Sequence, residues 1–217
     1  MNTADVNRGY IKIEGAVRAF NFDFKDKVVL DIGSSTGGFT EIALEKGAKK
    51  VIAVEKGTNQ MKTPLRFDPR IDLHEKTDIF DVRATNTSFE DRRLGRSLKA
   101  HEVTPRSVSE NEVFVALPDV IVADVSFLSL TKILEHAKNH LADRHTEFLV
   151  MFKPQFEAAP HQLNKGVVKN EKIRREIIKN FEFWLKTNNF LIINKRDNDL
   201  RGKTGNLERF YYLKLSH

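Results

Sequence analysis

Apolar positions along this 217-residue chain fall into two alternating rhythms. Short unbroken runs at Val28-Val-Leu30, Val51-Ile-Ala-Val54, Val120-Ile-Val-Ala123 and Phe148-Leu-Val-Met-Phe152 read as strands buried on both faces. Between them the period lengthens. Ile13, Ala16, Val17 and Phe20 share one helical face, as do Phe39, Ile42 and Ala43, and then Leu130, Ile133, Leu134, Ala137 and Leu141. The segment 170–186 carries Ile173, Ile177, Phe181, Trp184 and Leu185 on one side of an amphipathic helix, with Trp184 read as core. The stretch from Ile71 to Ile79 predicts a strand toward the sheet edge. Phe190–Asn194 and Arg209–Leu215 predict a closing hairpin-like pair with a long turn. Strands alternating with helices imply an α/β fold with a doubly wound, mainly parallel sheet and an antiparallel C-terminal strand.

Residues from about 84 to 117 break this rhythm. Thr85-Asn-Thr-Ser88, Arg92, Arg93, Arg96, Lys99 and Arg106 alternate with acids and few large apolar residues, so this region reads as an excursion inserted in one domain spanning 1–217.

The first buried run opens into Asp31-Ile-Gly-Ser-Ser-Thr-Gly-Gly-Phe-Thr40, a strand, a glycine turn and a helix start. Gly33, Gly37 and Gly38 leave room where a ligand approaches the backbone, and the helix start offers free N–H groups. Gly-x-x-x-Gly-Gly differs from the dinucleotide spacing and suits a ligand without a pyrophosphate, such as S-adenosylmethionine over Ser34, Ser35, Thr36 and Phe39. On spacing alone an ordinary tight turn would look the same. In sheets of this type ligands lie at the carboxyl ends of the strands. Asp31, Glu55, Asp78, Asp124 and Lys153 all fall at or near such ends. Glu55 follows Asp31 by 24 positions, where an acid can accept from ribose hydroxyls. A lysine directly after five apolar residues, as at Lys153, either snorkels to solvent or works in a site. Arg8 and Lys12, four apart on the other face of the first helix, read by themselves as a solvated basic face.

Charge and composition narrow the classes. Lys and Arg number 36 against 30 acids, a formal net charge of +6, which leans toward a polyanionic partner without requiring one. There are no cysteines, so disulfides and thiolate metal sites are excluded. His136 and His140 lack an acidic partner for a metal motif, and no metal is expected. Gly202-Lys-Thr lacks the first glycine of a phosphate loop. No run is long enough to span a bilayer, and Met1–Asp5 lacks the apolar centre of a signal peptide; a cytoplasmic protein is expected.

Several motifs together carry a resemblance. The 31–40 turn, Asp124-Val-Ser-Phe-Leu-Ser-Leu, Lys153-Pro-Gln-Phe-Glu, Lys165-Gly-Val-Val, Gly205-Asn-Leu-Glu208 and the opening Asn7-Arg-Gly-Tyr-Ile-Lys12 resemble the TlyA (hemolysin A) family of FtsJ-like ribose 2′-O-methyltransferases. The resemblance runs from about residue 6 to the C-terminus, with 84–117 unmatched. It implies S-adenosylmethionine as cofactor and ribosomal RNA, at a cytidine, as substrate. It also implies a Lys-Asp-Lys-Glu tetrad, which falls on Lys12, Asp124, Lys153 and Glu208, and so turns Lys12 from a solvated residue into a catalytic one beside the RNA, with Arg8 as a further RNA contact. The residue types suit the chemistry. Methyl transfer to a hydroxyl is an in-line displacement governed by positioning, and the hydroxyl must lose its proton as the methyl arrives. Lysine ordinarily holds its proton to about pH 10.4; burial and a second ammonium weaken that hold, and a carboxylate opposes them. Lys153 is then expected to take or stabilise the proton, Asp124 to orient Lys153, and Lys12 and Glu208 to orient the ribose.

Two departures stand out. The family's usual S4-type RNA-binding domain has no room ahead of Asn7, so RNA recognition is expected from the domain surface, a partner or the 84–117 region. Glu55-Lys56-Gly57 stands where a shorter acid is common. The alternatives are a non-catalytic cofactor-binding ribosome-associated protein, a methyltransferase for a protein or small molecule, and a membrane-lytic hemolysin.

Overall fold

The computed structural model describes residues 7–85, 112–202 and 205–216. A seven-stranded sheet organises them, in the order β3-β2-β1-β6-β7-β9-β8. Its strands are β1 (Val28–Ile32), β2 (Lys50–Val54), β3 (Ile71–His74), β6 (Val120–Ala123), β7 (Glu147–Phe152), β8 (Phe190–Asp197) and β9 (Arg209–Leu215). The first five run parallel, and β9 pairs antiparallel with both β7 and β8. Chain order reverses between β1 and β6, which opens a crevice at their carboxyl ends.

The central strands are apolar at most positions because both faces are covered, with Asp31 the charged exception inside β1. Leu30, Ile32, Ile52, Ile121, Phe148, Val150 and Phe152 point to one face, under α3 (Leu130–His140) and α5 (Glu171–Thr187). Val29, Val51, Val120, Val122, Leu149 and Met151 point to the other, under α1 (Arg8–Phe20) and α2 (Gly38–Glu45). Trp184 is partly buried against the first of these cores.

Helix ends follow local chemistry. Asn7 caps α1, accepting from the Gly9 N–H, and Asn21 closes it in the left-handed region. Asn170 caps α5 through the Lys172 and Ile173 N–H groups. Among the described residues no helix is long and apolar enough to cross a membrane.

The stretch expected to be an excursion is shorter than its sequence pattern implies. Both of its ends are ordered: β4 (Val82–Thr85) and β5 (Val113–Ala116) pair in parallel as a second, two-stranded sheet. Val82, Val115 and Ala116 pack into the core beneath α3. The basic residues Arg92, Arg93, Arg96, Lys99 and Arg106 lie outside the described residues. His136 is buried, its Nε2 lies 3.1 Å from the Val82 carbonyl, and its ring lies 4.9 Å from that of His140, tilted by 43°.

Candidate active site

Four chain segments far apart in sequence converge at the crevice. The end of β6 delivers Asp124, the end of β7 delivers Lys153, α1 crosses above them with Lys12, and the chain entering β9 delivers Glu208. Lys153 Nζ lies 2.6 Å from Asp124 Oδ1 and donates to Ser126 Oγ at 2.9 Å. Lys12 Nζ lies 2.7 Å from Glu208 Oε2 and 3.9 Å from Asp124 Oδ2. Two ammonium groups and two carboxylates therefore form one continuous chain, Lys153–Asp124–Lys12–Glu208. Lys12, Lys153 and Glu208 are buried, at 7%, 7% and 2% exposure, so these charges sit where pairing is strongest and isolation would be most costly.

Lys12 is the clearest departure from the plain reading of its helix. It does not share a solvated face with Arg8; it lies four residues before the buried Ala16 and turns into the cleft, while Arg8 remains exposed at the rim and donates to the Arg201 carbonyl.

Beside the four charges lies a cleft of about 740 Å³. The turn residues Gly33, Ser34, Ser35, Thr36, Gly38 and Phe39 line it, with Glu55, Asp78 and Asp124. Gly33 and Gly37 hold positive φ angles of 78° and 91°, which glycine adopts without strain. Ser34 is buried and its hydroxyl has no partner. Helix α2 begins at Gly38 with no side-chain cap, and although Asp31 draws the Thr40 N–H, a helix start of this kind favours an anion. Glu55 is already engaged, accepting from the Ser35 N–H at 2.9 Å, the Gly57 N–H at 2.7 Å and Gln60 Nε2 at 3.2 Å. Asp78 accepts from the Phe80 N–H and from Lys56 Nζ at 2.8 Å. Partial burial raises its carboxyl, and the Lys56 ammonium and the Phe80 N–H together outweigh that and hold it below the ordinary range.

Two turn residues do not reach the cleft. Asp31 is fully buried beneath the turn, where its Oδ2 accepts from Thr40 Oγ1 at 2.7 Å. Alternation along β1 explains this, because Asp31 shares its face with Val29 and looks toward α2. Gly37 packs against Leu65 and Met61 and shapes the turn from behind.

The sequence reading missed several residues around the site. Asn7 ties α1 to the glycine turn, donating to the Thr36 carbonyl at 3.2 Å and accepting from Thr36 Oγ1 at 3.0 Å. Phe127, 89% exposed at a φ of 66°, stands at the rim with its ring 5.4 Å from Phe156. A bulky residue held at positive φ is uncommon and clusters at functional sites. The apolar pattern does not separate Phe127 from the core phenylalanines, because it stands four positions past an apolar strand and shortly before an apolar helix.

The FtsJ-like methyltransferase profile matches residues 6–215. The chain is 34% identical to the 23S rRNA (cytidine-2′-O)-methyltransferase TlyA of Campylobacter jejuni, over 95% of this chain and 70% of that protein. It is 33% identical to hemolysin A of Brachyspira hyodysenteriae, over 95% and 75%. Among solved structures, a predicted hemolysin from Streptococcus thermophilus superposes with a TM-score of 0.76 at 31% identity, over 97% of this chain and 67% of that one. A match over nearly the whole chain to one profile, with relatives above 30% identity on both its named branches, places this protein in the FtsJ-like methyltransferase family, with TlyA and hemolysin A.

Proposed function

We propose that this protein transfers the methyl group of S-adenosylmethionine to the ribose 2′-hydroxyl of a cytidine in ribosomal RNA, acting in the cytoplasm on RNA or a ribosomal subunit. The observation that carries the reading is the buried Lys153–Asp124–Lys12–Glu208 chain beside an open cleft. Four charges held together in a low-polarity site are costly as mere structure and useful where a proton must move. A (cytidine-2′-O)-methyltransferase among the relatives supports the substrate.

The cleft suits the cofactor. The unpartnered Ser34 hydroxyl and the uncapped start of α2 fit a carboxylate, and Glu55 and Asp78 fit ribose hydroxyls. A carboxylate has about four acceptor positions, so Glu55 retains room beyond its three present donors. When bound, S-adenosylmethionine supplies the methyl group. Lys153 acts in its neutral amine form, having first released its own proton to solvent: its Nζ takes the proton of the 2′-hydroxyl, and Asp124 stabilises the ammonium so formed. Lys12, anchored by Glu208, places a second cation toward the developing oxyanion and orients the ribose.

Tritiated S-adenosylmethionine incubated with ribosomal subunits lacking the modification tests this, wild type beside Lys153→Met. Label in a 2′-O-methylnucleoside, reduced roughly 10²–10⁴-fold in the variant, is the expected result for loss of a general base. Near-wild-type transfer by Lys153→Met would remove Lys153 from the role. Label in protein or in a base would redirect the substrate.

A further inference from the structure

The motifs Lys165-Gly-Val-Val and Gly205-Asn-Leu-Glu208 meet in the fold, and only Glu208 has a role so far. Residues 164–167 form a tight two-residue turn, with Asn164 N–H donating to the Val167 carbonyl at 2.9 Å and Val167 N–H returning to the Asn164 carbonyl at 3.0 Å. Lys165 and Gly166 hold φ angles of 49° and 78°, the paired positive values of a mirror-image hairpin turn. That twist leaves the Gly166 carbonyl and the Val168 N–H both turned to Asn206. Its Nδ2 donates to the Gly166 carbonyl at 3.0 Å, and its Oδ1 accepts from the Val168 N–H at 3.0 Å. Asn206 is 2% exposed.

We propose that Asn206 is a positioning residue: its carboxamide latches the 164–167 turn to the segment that carries Glu208, and thereby sets where Glu208 meets Lys12. The inference rests on reading the four-charge chain as the methyl-transfer site. The path from Asn206 to Glu208 is short and held at each step. The Asn206 carbonyl accepts from the Gly202 N–H at 2.8 Å, the Leu207 carbonyl lies 3.4 Å from Arg174 Nε, and the Glu208 carbonyl accepts from the Asn198 N–H at 2.8 Å. With its main chain fixed, Glu208 presents Oε2 to Lys12 at 2.7 Å. A carboxamide carries its donor and its acceptor on two separate atoms of one short side chain, and so meets both peptide groups at once. An aspartate in its place keeps the contact to Val168 and sets an oxygen against the Gly166 carbonyl. An alanine removes both contacts and leaves the buried Val168 N–H unmet.

The test compares Asn206→Ala and Asn206→Asp with wild type in methyl transfer, and places Asn206→Ala in a Glu208→Gln background. Displacing a catalytic group by about 1 Å can cost 10²-fold, so kcat is expected to fall about 10- to 100-fold, with KM for S-adenosylmethionine within about twofold of wild type. If Asn206 acts through Glu208, Asn206→Ala adds nothing further once Glu208 is already Gln. Multiplicative losses, or a KM for the cofactor raised in step with kcat lost, would mean a general structural role and overturn the proposal. A second arm needs no activity and uses Asn206→Asp, which keeps the Val168 contact and loses the Gly166 one, in case Asn206→Ala fails to fold. Amide exchange at Val167, which closes the turn, and at Asn198, which donates to the Glu208 carbonyl, is expected to speed up together. Faster exchange at Val167 alone would show that the latch stops short of Glu208, and would overturn the proposal even if wild type methylated no RNA.

Discussion

Asp31 is an acid with no water around it. Its Oδ2 has Thr40, its Oδ1 has no partner, and it is fully buried. Burial pushes its carboxyl up from 3.8 to about 7, against the lowering effect of the Thr40 hydrogen bond and with a further rise from Asp124. Between about pH 4 and 7 the folded protein therefore holds a proton that the unfolded chain has released, and stability falls as pH rises through that window. The full shift corresponds to roughly 4 kcal/mol at 1.36 kcal/mol per unit. Asp31→Asn removes the titration. The stability difference between variant and wild type in urea unfolding should grow in the variant's favour by a few kcal/mol, on the order of 2–4, from pH 4 to pH 8. A constant difference across that range would show that Asp31 is ionised throughout. The strand-end position of this acid was legible in the sequence. Its direction was not fully so, because Val29 and Leu30 are both apolar and a doubly buried strand does not announce which neighbour an acid joins. Lys12 carried a better signal than its charge suggested, since it stands one turn before Ala16 on a helix whose buried face is otherwise plain.

The α1–α2 contact shows how an element, rather than a residue, sets the site. A Cβ on Gly38 would stand 2.5 Å from the Tyr10 nitrogen, 2.8 Å from the Gly9 carbonyl carbon and 2.9 Å from Asn7 Oδ1. Backbone cannot swing aside as a side chain can, so the two helices must separate. Gly38→Ala is expected to cost about 1–3 kcal/mol in stability, the scale of overpacking. It should also lower methyl transfer by at least tenfold at temperatures where the variant is folded, because α1 carries Lys12. Gly15→Ala is the control on the same helix: its Cβ would meet only an Asp199 side-chain oxygen, at 3.3 Å, and helix propensity favours Ala by about 1 kcal/mol. Equal activity of both variants would mean that the spacing of α1 over α2 does not matter. At this scale the doubly buried strands and the long helices could be read from periodicity. The strands β4 and β5 could not: each has four residues, Arg83 interrupts the first, and a parallel partner more than 25 residues on leaves no local trace. Strand β8 runs past Asn194 to Asp197 for a related reason, since an edge strand continues by pairing with β9 while its residues turn polar.

Across the whole molecule, the cleft draws on both sides of the sheet, which also share the cores on its two faces. Glu55 and Asp78 come from the β2–β3 side, Asp124 and Lys153 from the β6–β7 side, and α1 bridges them from above. A ligand held by both sides must stabilise the sheet as one unit. At 100 times its Kd, a ligand that binds only the folded state adds about 2.7 kcal/mol. For a chain of this length, at roughly 2–4 °C per kcal/mol, S-adenosylmethionine should raise Tm by about 5–10 °C. Lys153→Met should keep that shift, because in the proposed mechanism Lys153 serves the hydroxyl and not the cofactor, while Glu55→Ala should lose most of it. The single tryptophan makes the cooperativity measurable: Trp184 lies on α5 in the core beneath β7 and β9, away from the glycine turn. Its fluorescence transition should move with the cofactor by the same amount as the backbone circular dichroism. A dichroism midpoint that rises while the Trp184 midpoint stays fixed would mean that the β6–β8 half unfolds independently. In that case cofactor binding would organise only the β1–β3 half, and the tetrad, which takes Asp124, Lys153 and Glu208 from the other half, would depend on the RNA to complete it.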